Sequence, residues 1–291
     1  MSSLQAKFFY GLLRRFDAKR LINNAIEKQK INRQPFFSDR EMKKYHILTT
    51  KINDNAVSTI GKNLPGLAHV IYFHGGMYVV EGNTAHKRWL INLFKQKKCK
   101  ITYVDYPLAP ENTYQETVEM VVESYRYLTR QFPDDIFFLM GDSAGGGLAL
   151  ILAQYLRDHG FEHRPRKLIL YSPWVCLDMD NPEIHDFIHK DSILDLDLLR
   201  KSARAYGGKA DLRDKLLSPY YGGCEDLGEM YVFYGEDELL APDIKLLERK
   251  YNETGAKAHF YCYEGVGHDF QLFTFLPESK DVLRKTLAII A

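Results

Sequence analysis

Ser143 lies in Gly141-Asp142-Ser143-Ala144-Gly145, a G-x-S-x-G pattern between an apolar run, Ile136 to Met140, and a segment with Leu148, Ala149, Ile151, Leu152 and Leu156 at helical spacing. The spacing predicts a serine on the turn between a buried strand and a helix. A sharp turn there lifts the hydroxyl out of the sheet. It also requires small neighbours, because a β-carbon at Gly141 or Gly145 would meet adjacent backbone. The free N–H groups and positive dipole end of the following helix point at the same spot, where an oxyanion could form. The other chemistry for a glycine-rich strand-to-helix turn is phosphate binding, but no lysine follows these glycines as a phosphate-binding loop requires.

A serine hydroxyl is a poor nucleophile at neutral pH, so it needs a base whose pKa lies near 7 and a carboxylate to orient that base. Among the histidines, His268 follows Glu264-Gly265-Val266-Gly267, whose two glycines allow a loop to reach the serine, whereas His259 begins a strand. For the acid, Glu236, Asp237, Glu238 and Asp243 compete in Gly235-Glu236-Asp237-Glu238-Leu239-Leu240-Ala241-Pro242-Asp243. Asp237 is preferred because it falls at the turn off a strand, and Asp243 reads as the first-turn acid of the next helix. His74-Gly75-Gly76-Met77-Tyr78 follows the apolar strand Ala68 to Phe73. Its two glycines let the backbone approach a ligand with N–H groups exposed, and His74 reads as a brace for that loop. His185 and His189 have metal-ligand spacing if helical, but no third ligand follows, so no metal is expected.

These residues need a scaffold that brings them together. Strand patterns at Ala68 to Phe73, Lys100 to Val104, Ile136 to Met140, Lys167 to Tyr171, Met230 to Tyr234 and His259 to Tyr263 alternate with helical ones at Thr84 to Gln96, Tyr114 to Phe132 and from Asp243 and Glu278 onward. That alternation predicts a mostly parallel sheet flanked by helices on both faces, with its sites beyond the carboxyl ends of the strands. A hairpin over Tyr45 to Ile60 precedes it, turning at Asn53-Asp54-Asn55. From Asp178 to Gly223 strand character is lost, as expected of a helical lid. Residues 4 to 30 read as amphipathic helix, with Leu4, Phe8, Leu12, Phe16, Leu21 and Ala25 as the apolar stripe among Lys7, Arg14, Arg15, Lys19 and Arg20. The expectation is that this stripe packs on the protein as part of the lid; the competing reading places it on a membrane surface.

The 291 residues suit one catalytic domain with a lid. Lys+Arg 39 against Asp+Glu 38 gives a formal charge of +1, which excludes nucleic-acid binding as the first expectation. Cys99, Cys176, Cys224 and Cys262 are far apart, without disulfide or zinc spacing, and fit a reducing compartment. No apolar run approaches the ~20 residues of a membrane span, so stable membrane insertion is not expected and the cytoplasm is the default location.

Five motifs in order carry a resemblance. His74-Gly75-Gly76, Asp105-Tyr106-Pro107-Leu108-Ala109-Pro110-Glu111, Gly141-Asp142-Ser143-Ala144-Gly145-Gly146, Gly235 with Asp237, and His268 stand collinearly as in the hormone-sensitive-lipase-like branch of the α/β-hydrolase superfamily, the bacterial acetyl-esterase and carboxylesterase group. Residues 68 to 291 resemble that branch throughout. The resemblance implies the α/β-hydrolase fold with a helical cap, the cap being built from residues 1–45 and an insertion at about 178–215, and the catalytic domain from residues 46–291. It implies Ser143 as nucleophile, Asp237 and His268 as its partners, and the backbone N–H groups of Gly75, Gly76 and Ala144 as the oxyanion hole. No cofactor is implied, and the expected partner is a small-molecule ester; a homodimer stays open. Two departures stand out. Met77 replaces the third glycine of the first loop, and Pro107 stands where the family has arginine, so that loop must be held without its salt bridge. The expected activity is a serine carboxylesterase acting on small or medium acyl esters. A small amide or formamide hydrolase and a lipase would use the same triad, and a non-catalytic receptor on this fold would lack part of it.

Overall fold

The structure is a computed structural model that describes residues 2–28, 34–64 and 68–291. Its frame is an eight-stranded sheet in the order β1-β2-β4-β3-β5-β6-β7-β8. β1 (Leu48–Ile52) and β2 (Asn55–Ile60) form the expected hairpin, and β2 runs antiparallel to β4 (Lys100–Val104). From β4 through β3 (Ala68–Phe73), β5 (Ile136–Asp142), β6 (Lys167–Tyr171), β7 (Glu229–Gly235) and β8 (Ala258–Tyr263) every pairing is parallel. All carboxyl ends of β3 to β8 therefore lie along one rim, where the loops after β3, β5, β7 and β8 meet.

Side-chain alternation sorts the sheet's two faces. Ile71, Phe73, Leu139, Leu168, Leu170 and Val232 enter one core with α5 (Tyr114–Gln131), α6 (Ala144–Asp158) and α8 (Ala241–Thr254). Their neighbours Val70, Tyr72, Phe138, Met140, Ile169, Tyr171 and Phe233 enter the other, with α4 (Thr84–Lys97) and α9 (Pro277–Ile289). Both faces are covered, which is why these strands read as continuous apolar runs rather than as alternating ones.

The lid region is helical. Pro182–Phe187 forms a short 3-10 helix and Leu196–Gly207 forms α7, which buries Leu199, Ala203 and Tyr206 in the core of the α5, α6 and α8 face. The N-terminal segment is two helices, α1 (Leu4–Arg15) and α2 (Ala18–Lys28), followed after the described gap by α3 (Asp39–Lys44). The expected helix over 4 to 30 thus breaks at Phe16-Asp17, where Asp17 has φ +47°, and its last two residues lie outside the described ones. One expectation is reversed here. Ala6 and Tyr10 are the buried residues of α1, with Phe9 and Leu13 half-buried, whereas Leu4, Phe8, Leu12 and Phe16 face solvent. Two aromatics, an alanine and a leucine on the inner face are enough to seat the helix, so the expected stripe is left outside.

Candidate active site

Ser143 stands between β5 and α6 with φ +52° and ψ −121°, a left-handed strain that a side chain accepts only when the surroundings hold it. They do. Its N–H donates to the Tyr171 carbonyl at 2.9 Å, and its carbonyl accepts from Trp174 N–H at 2.9 Å and Gly147 N–H at 3.1 Å. A β-carbon on Gly145 would come within 2.1 Å of the Phe73 carbonyl oxygen, and one on Gly141 within 2.3 Å of the Gly145 oxygen. The turn is possible only with glycine at both places.

His268, on the loop after β8, puts Nε2 2.9 Å from Ser143 Oγ. Both side chains are buried, with residue exposures of 2% for Ser143 and 3% for His268. The structure thus brings together the hydroxyl and the imidazole that sequence spacing singled out.

The carboxylate that faces His268 Nδ1 is Glu238 rather than the expected Asp237. Asp237 turns outward, its Oδ2 accepting from the Arg14 guanidinium of α1 at 3.3 Å, while its backbone N–H closes the loop onto the Val266 carbonyl at 3.1 Å. Glu238 turns inward instead, fully buried, with Oε2 3.4 Å from His268 Nδ1. That separation is an ion-pair distance rather than a closed hydrogen bond, and catalytic contacts of unliganded sites are often this long. The same Glu238 oxygen accepts from Ser172 Oγ at 2.6 Å, and Ser172 Oγ accepts from Asp269 N–H at 3.2 Å, so one hydroxyl ties the acid to the histidine loop. Asp191, buried in the lid insertion, accepts from Leu239 N–H at 2.8 Å and from Ile193 and Leu194 N–H at 2.8 and 2.9 Å. It thereby anchors the residue that follows Glu238. Counting from the end of the strand favours Asp237. The usable signal was Leu239 and Leu240, both buried, which place Glu238 at the head of an inward-facing run.

A second carboxylate was not anticipated. Asp269 Oδ2 lies 3.2 Å from His268 Nε2, the nitrogen that also faces Ser143. Burial alone would push the His268 imidazole down, but the charges of Asp269 and then Glu238 outweigh it and hold its pKa well above the ordinary histidine value. Burial pushes the Glu238 and Asp269 carboxyls up, with the His268 charge opposing.

The first glycine loop is braced from inside the protein. His74 Nδ1 is 2.6 Å from the Gly75 carbonyl oxygen, and Tyr106 O–H donates to the His74 carbonyl at 2.6 Å. Asp142, beside Ser143 in sequence and fully buried, accepts from Gly75 N–H at 3.0 Å, from His86 Nε2 at 3.1 Å and from Tyr72 O–H. Burial would raise its carboxyl, but His86 and Tyr72 hold it below the ordinary carboxylate range, so it stays ionised. Gly75 N–H is therefore occupied. Among the described residues the N–H groups of Gly76, Met77 and Ala144 donate to no protein acceptor, and Gly76 and Met77 take φ +119° and +55° in the same turn. Of the three donors expected from the sequence, Gly76 and Ala144 are thus unbonded and Gly75 is not, while Met77, next in the same turn, is unbonded as well. The loop with Pro107 in place of arginine is held by Thr117 Oγ1, which donates to the Pro107 carbonyl at 2.8 Å, and by Ala109 N–H on the Tyr78 carbonyl at 2.8 Å.

No group of metal-ligating side chains with a cation's geometry occurs among the described residues, and His185 and His189 are not joined by a third ligand. The site is therefore built from a strained hydroxyl, an imidazole, buried carboxylates and free backbone N–H groups. Such a set can attack a carbonyl carbon and hold the oxyanion that results.

Known proteins with similar sequences and shapes share this frame. A family described as having the alpha/beta hydrolase fold matches residues 70–272. An esterase of Acinetobacter venetianus is 30% identical over 218 residues, covering 74% of this chain and 71% of that protein. Esterase LipU of Mycobacterium tuberculosis is 30% identical over 224 residues, covering 74% and 75%. Among solved structures, a hormone-sensitive lipase from a metagenome library superposes with a TM-score of 0.78 at 25% identity, over 94% of this chain and 96% of the other. An esterase from the bacterial hormone-sensitive lipase family reaches 0.81 at 23% identity, over 100% and 98%, a likeness of fold.

Proposed function

The chain belongs to the α/β-hydrolase family, in its hormone-sensitive-lipase-like branch, and from that premise we propose that it is a serine carboxylesterase working through an acyl-enzyme on small or medium acyl esters. The observation that carries the reading is the 2.9 Å approach of His268 Nε2 to Ser143 Oγ on a strained strand-to-helix turn.

In this mechanism His268 takes the Ser143 proton as Oγ attacks the ester carbonyl carbon. The carbonyl π electrons move to oxygen, and the N–H groups of Gly76, Met77 and Ala144 receive that oxyanion. Collapse expels the alcohol, which leaves with the proton held by His268. A water then repeats the sequence on the acyl-enzyme, giving the carboxylic acid and free Ser143. Glu238 replaces Asp237 as the acid: it faces Nδ1, fixes the tautomer in which Nε2 is the base, and stabilises the imidazolium. We assign the cap to residues 1–45, of which 1 and 29–33 lie outside the described residues, and to the insertion at about 178–215, a reading supported by the bonds of Arg14 to Ser192 at 3.3 Å and Lys19 to the Ile188 carbonyl at 2.7 Å. The four separate thiols support a reducing compartment.

The deciding experiment is labelling of the purified chain with a fluorophosphonate, followed by an aryl ester series from acetate to decanoate and matched anilides. Label on the peptide containing Ser143, with turnover highest on the shorter esters, is the expected result. Ester turnover that persists in a preparation bearing no label at Ser143 would end the proposal, and faster anilide than ester cleavage would replace it with the amidase reading.

A further inference from the structure

α1 is fixed to the body by its inner face. Tyr10 lies against Gly267, one residue from His268, and Ser3 donates its backbone N–H to Glu278 of α9 at 2.7 Å and its hydroxyl to the same carboxylate at 3.1 Å. Its outer face is apolar on successive turns: Leu4 is 85% exposed, Phe8 70% and Phe16 66%, with Leu12 between them and Leu21 of α2 beyond. Phe275, also exposed, stands beside the helix with its ring 5.1 Å from that of Phe9. A rigidly seated helix with large side chains directed outward is not explained by the core it helps to close.

Charge says what covers it. Over residues 4–26 the cations are Lys7, Arg14, Arg15, Lys19 and Arg20 against Asp17 alone, although the whole chain has a net charge of only +1. The basic charge is thus concentrated on this segment and the remainder is net acidic. Arg14, though half-exposed, is engaged by Ser192 and Asp237, Lys19 by the Ile188 carbonyl, and Arg20 pairs with Asp17 at 3.2 Å, but Lys7 and Arg15 are exposed beside the apolar stripe. The acids bordering this face are Asp17, which Arg20 pairs, Glu264 near Lys7, and Glu278, whose carboxylate Ser3 already occupies. A second copy of the same face would bring like charges together. An uncharged lipid surface would leave the cations without a partner.

We propose that the outer face of α1, continued by Leu21 and Phe275, docks on an anionic lipid surface. Leu4, Phe8 and Phe16 enter the boundary between headgroups and acyl chains while Lys7 and Arg15 reach the phosphates. No helix among the described residues is long and apolar enough to cross a membrane, so the contact is peripheral. The proposal is independent of the catalytic reading, since it concerns a face that contributes no group to the site.

The test is co-sedimentation of the full chain with vesicles of phosphatidylcholine alone and of phosphatidylcholine with a quarter phosphatidylglycerol, at low and high salt. The wild type is expected to partition onto the anionic vesicles, with binding weakened by salt because exposed charges are screened. Phe8→Ser with Leu12→Ser should lower partitioning by about tenfold or more. Lys7→Gln with Arg15→Gln should lower it about fivefold per cation on anionic vesicles only. All of these side chains face solvent, so both variants should keep the wild-type circular dichroism and their hydrolysis of a soluble short-chain ester. Equal binding to neutral and anionic vesicles, no binding by the wild type, or unchanged binding by both variants would overturn the proposal. So would a concentration-dependent dimer that Phe8→Ser with Leu12→Ser dissolves, because the face would then be a contact between copies.

Discussion

The sheet holds two hydroxyl-imidazole-carboxylate arrays, one at each end of its strands. At the carboxyl rim stand Ser143, His268 and Glu238, with separations of 2.9 and 3.4 Å. At the amino end, His69 on β3 puts Nε2 2.7 Å from Thr102 Oγ1 and Nδ1 2.9 Å from Asp135 Oδ2. By distance alone the second is the tighter triad. Yet Thr102 sits in the middle of β4 in ordinary ladder pairing, and its hydroxyl is also within 2.7 Å of Thr59 Oγ1, so it has no free direction of attack. Asp135 is neutralised by the Lys100 ammonium at 2.7 and 2.9 Å. Burial, with Lys100 assisting, outweighs Asp135 and keeps the His69 imidazole below its ordinary pKa, whereas His268 is held above it. The lesson is that the three groups and their spacing do not make a nucleophile. A strained turn, free N–H groups beside it and carboxylates without a cation of their own separate the rim from the buried array.

The largest effect should come from the two hydroxyls. Ser143→Ala should cut esterase turnover by about a millionfold, in the range seen when a serine nucleophile is removed, while Thr102→Val should leave turnover within a few fold. Comparable losses from the two would erase the distinction, and circular dichroism of both variants separates loss of chemistry from loss of fold. The carboxylates come next. Glu238→Gln should cost on the order of a thousandfold or more in kcat, whereas Asp237→Asn, which breaks only a half-exposed contact to Arg14, should change kcat by less than about fivefold because such pairs contribute roughly 1 kcal/mol or less. The reverse order would restore Asp237 as the acid.

Asp135→Asn reads out on stability instead. Lys100 and Asp135 have side chains 5% and 2% exposed, and neutralising one leaves a buried charge uncompensated. A loss of about 3 kcal/mol in urea unfolding is expected, with kcat of the folded enzyme unchanged. A fall in kcat without a change in stability would mean that the buried array contributes to turnover.

How much of this was legible in the sequence depends on what fixed each feature. The strands from Ala68 to Tyr263 were readable because burial on both faces demands continuous apolar runs, and Ser143 because its turn tolerates only glycine on either side. His268 was readable because glycines precede it. The inward turn of Glu238 was not, because Glu236, Asp237 and Glu238 are consecutive and differ only in which way the loop turns them, and that is decided by contacts distant in sequence: Asp237 N–H on Val266, Asp191 on Leu239 N–H, Arg14 on Asp237. The same holds for Gly75. Its N–H is taken by Asp142, a residue whose fully buried carboxylate looks from sequence like a replaceable position inside G-x-S-x-G. The α1 stripe failed for another reason: amphipathicity tells that a helix has an apolar face, and cannot tell which of two apolar faces the body selects.

The smallest expected effect is also the most specific to the rim. His268 has its pKa raised because Asp269 and Glu238 favour the imidazolium, so the stability contributed by protonating this histidine is fully present below about pH 6.5, the free histidine value, and is lost as pH rises through the raised value. In the proposed mechanism catalysis runs the other way, since only the neutral imidazole can take the Ser143 proton. The kcat/KM profile should therefore rise along a limb centred above pH 6.5 while the stability contribution declines over the same range. Asp191, Glu238 and Asp269 all bear on this ring, but only Asp269 approaches Nε2, at 3.2 Å, where its carboxylate competes with Ser143 for the ring proton. Asp269→Asn should move the activity limb toward acid and shrink the loss of stability with rising pH, with a change of only a few fold in the plateau rate. Glu238→Gln would move the limb in the same direction but lower the plateau steeply, so the two variants separate a carboxylate that sets the proton affinity of the base from one that orients it. A limb that stays in place in Asp269→Asn would show that the charge beside Nε2 is neutralised by protonation, and that Glu238 alone raises the histidine.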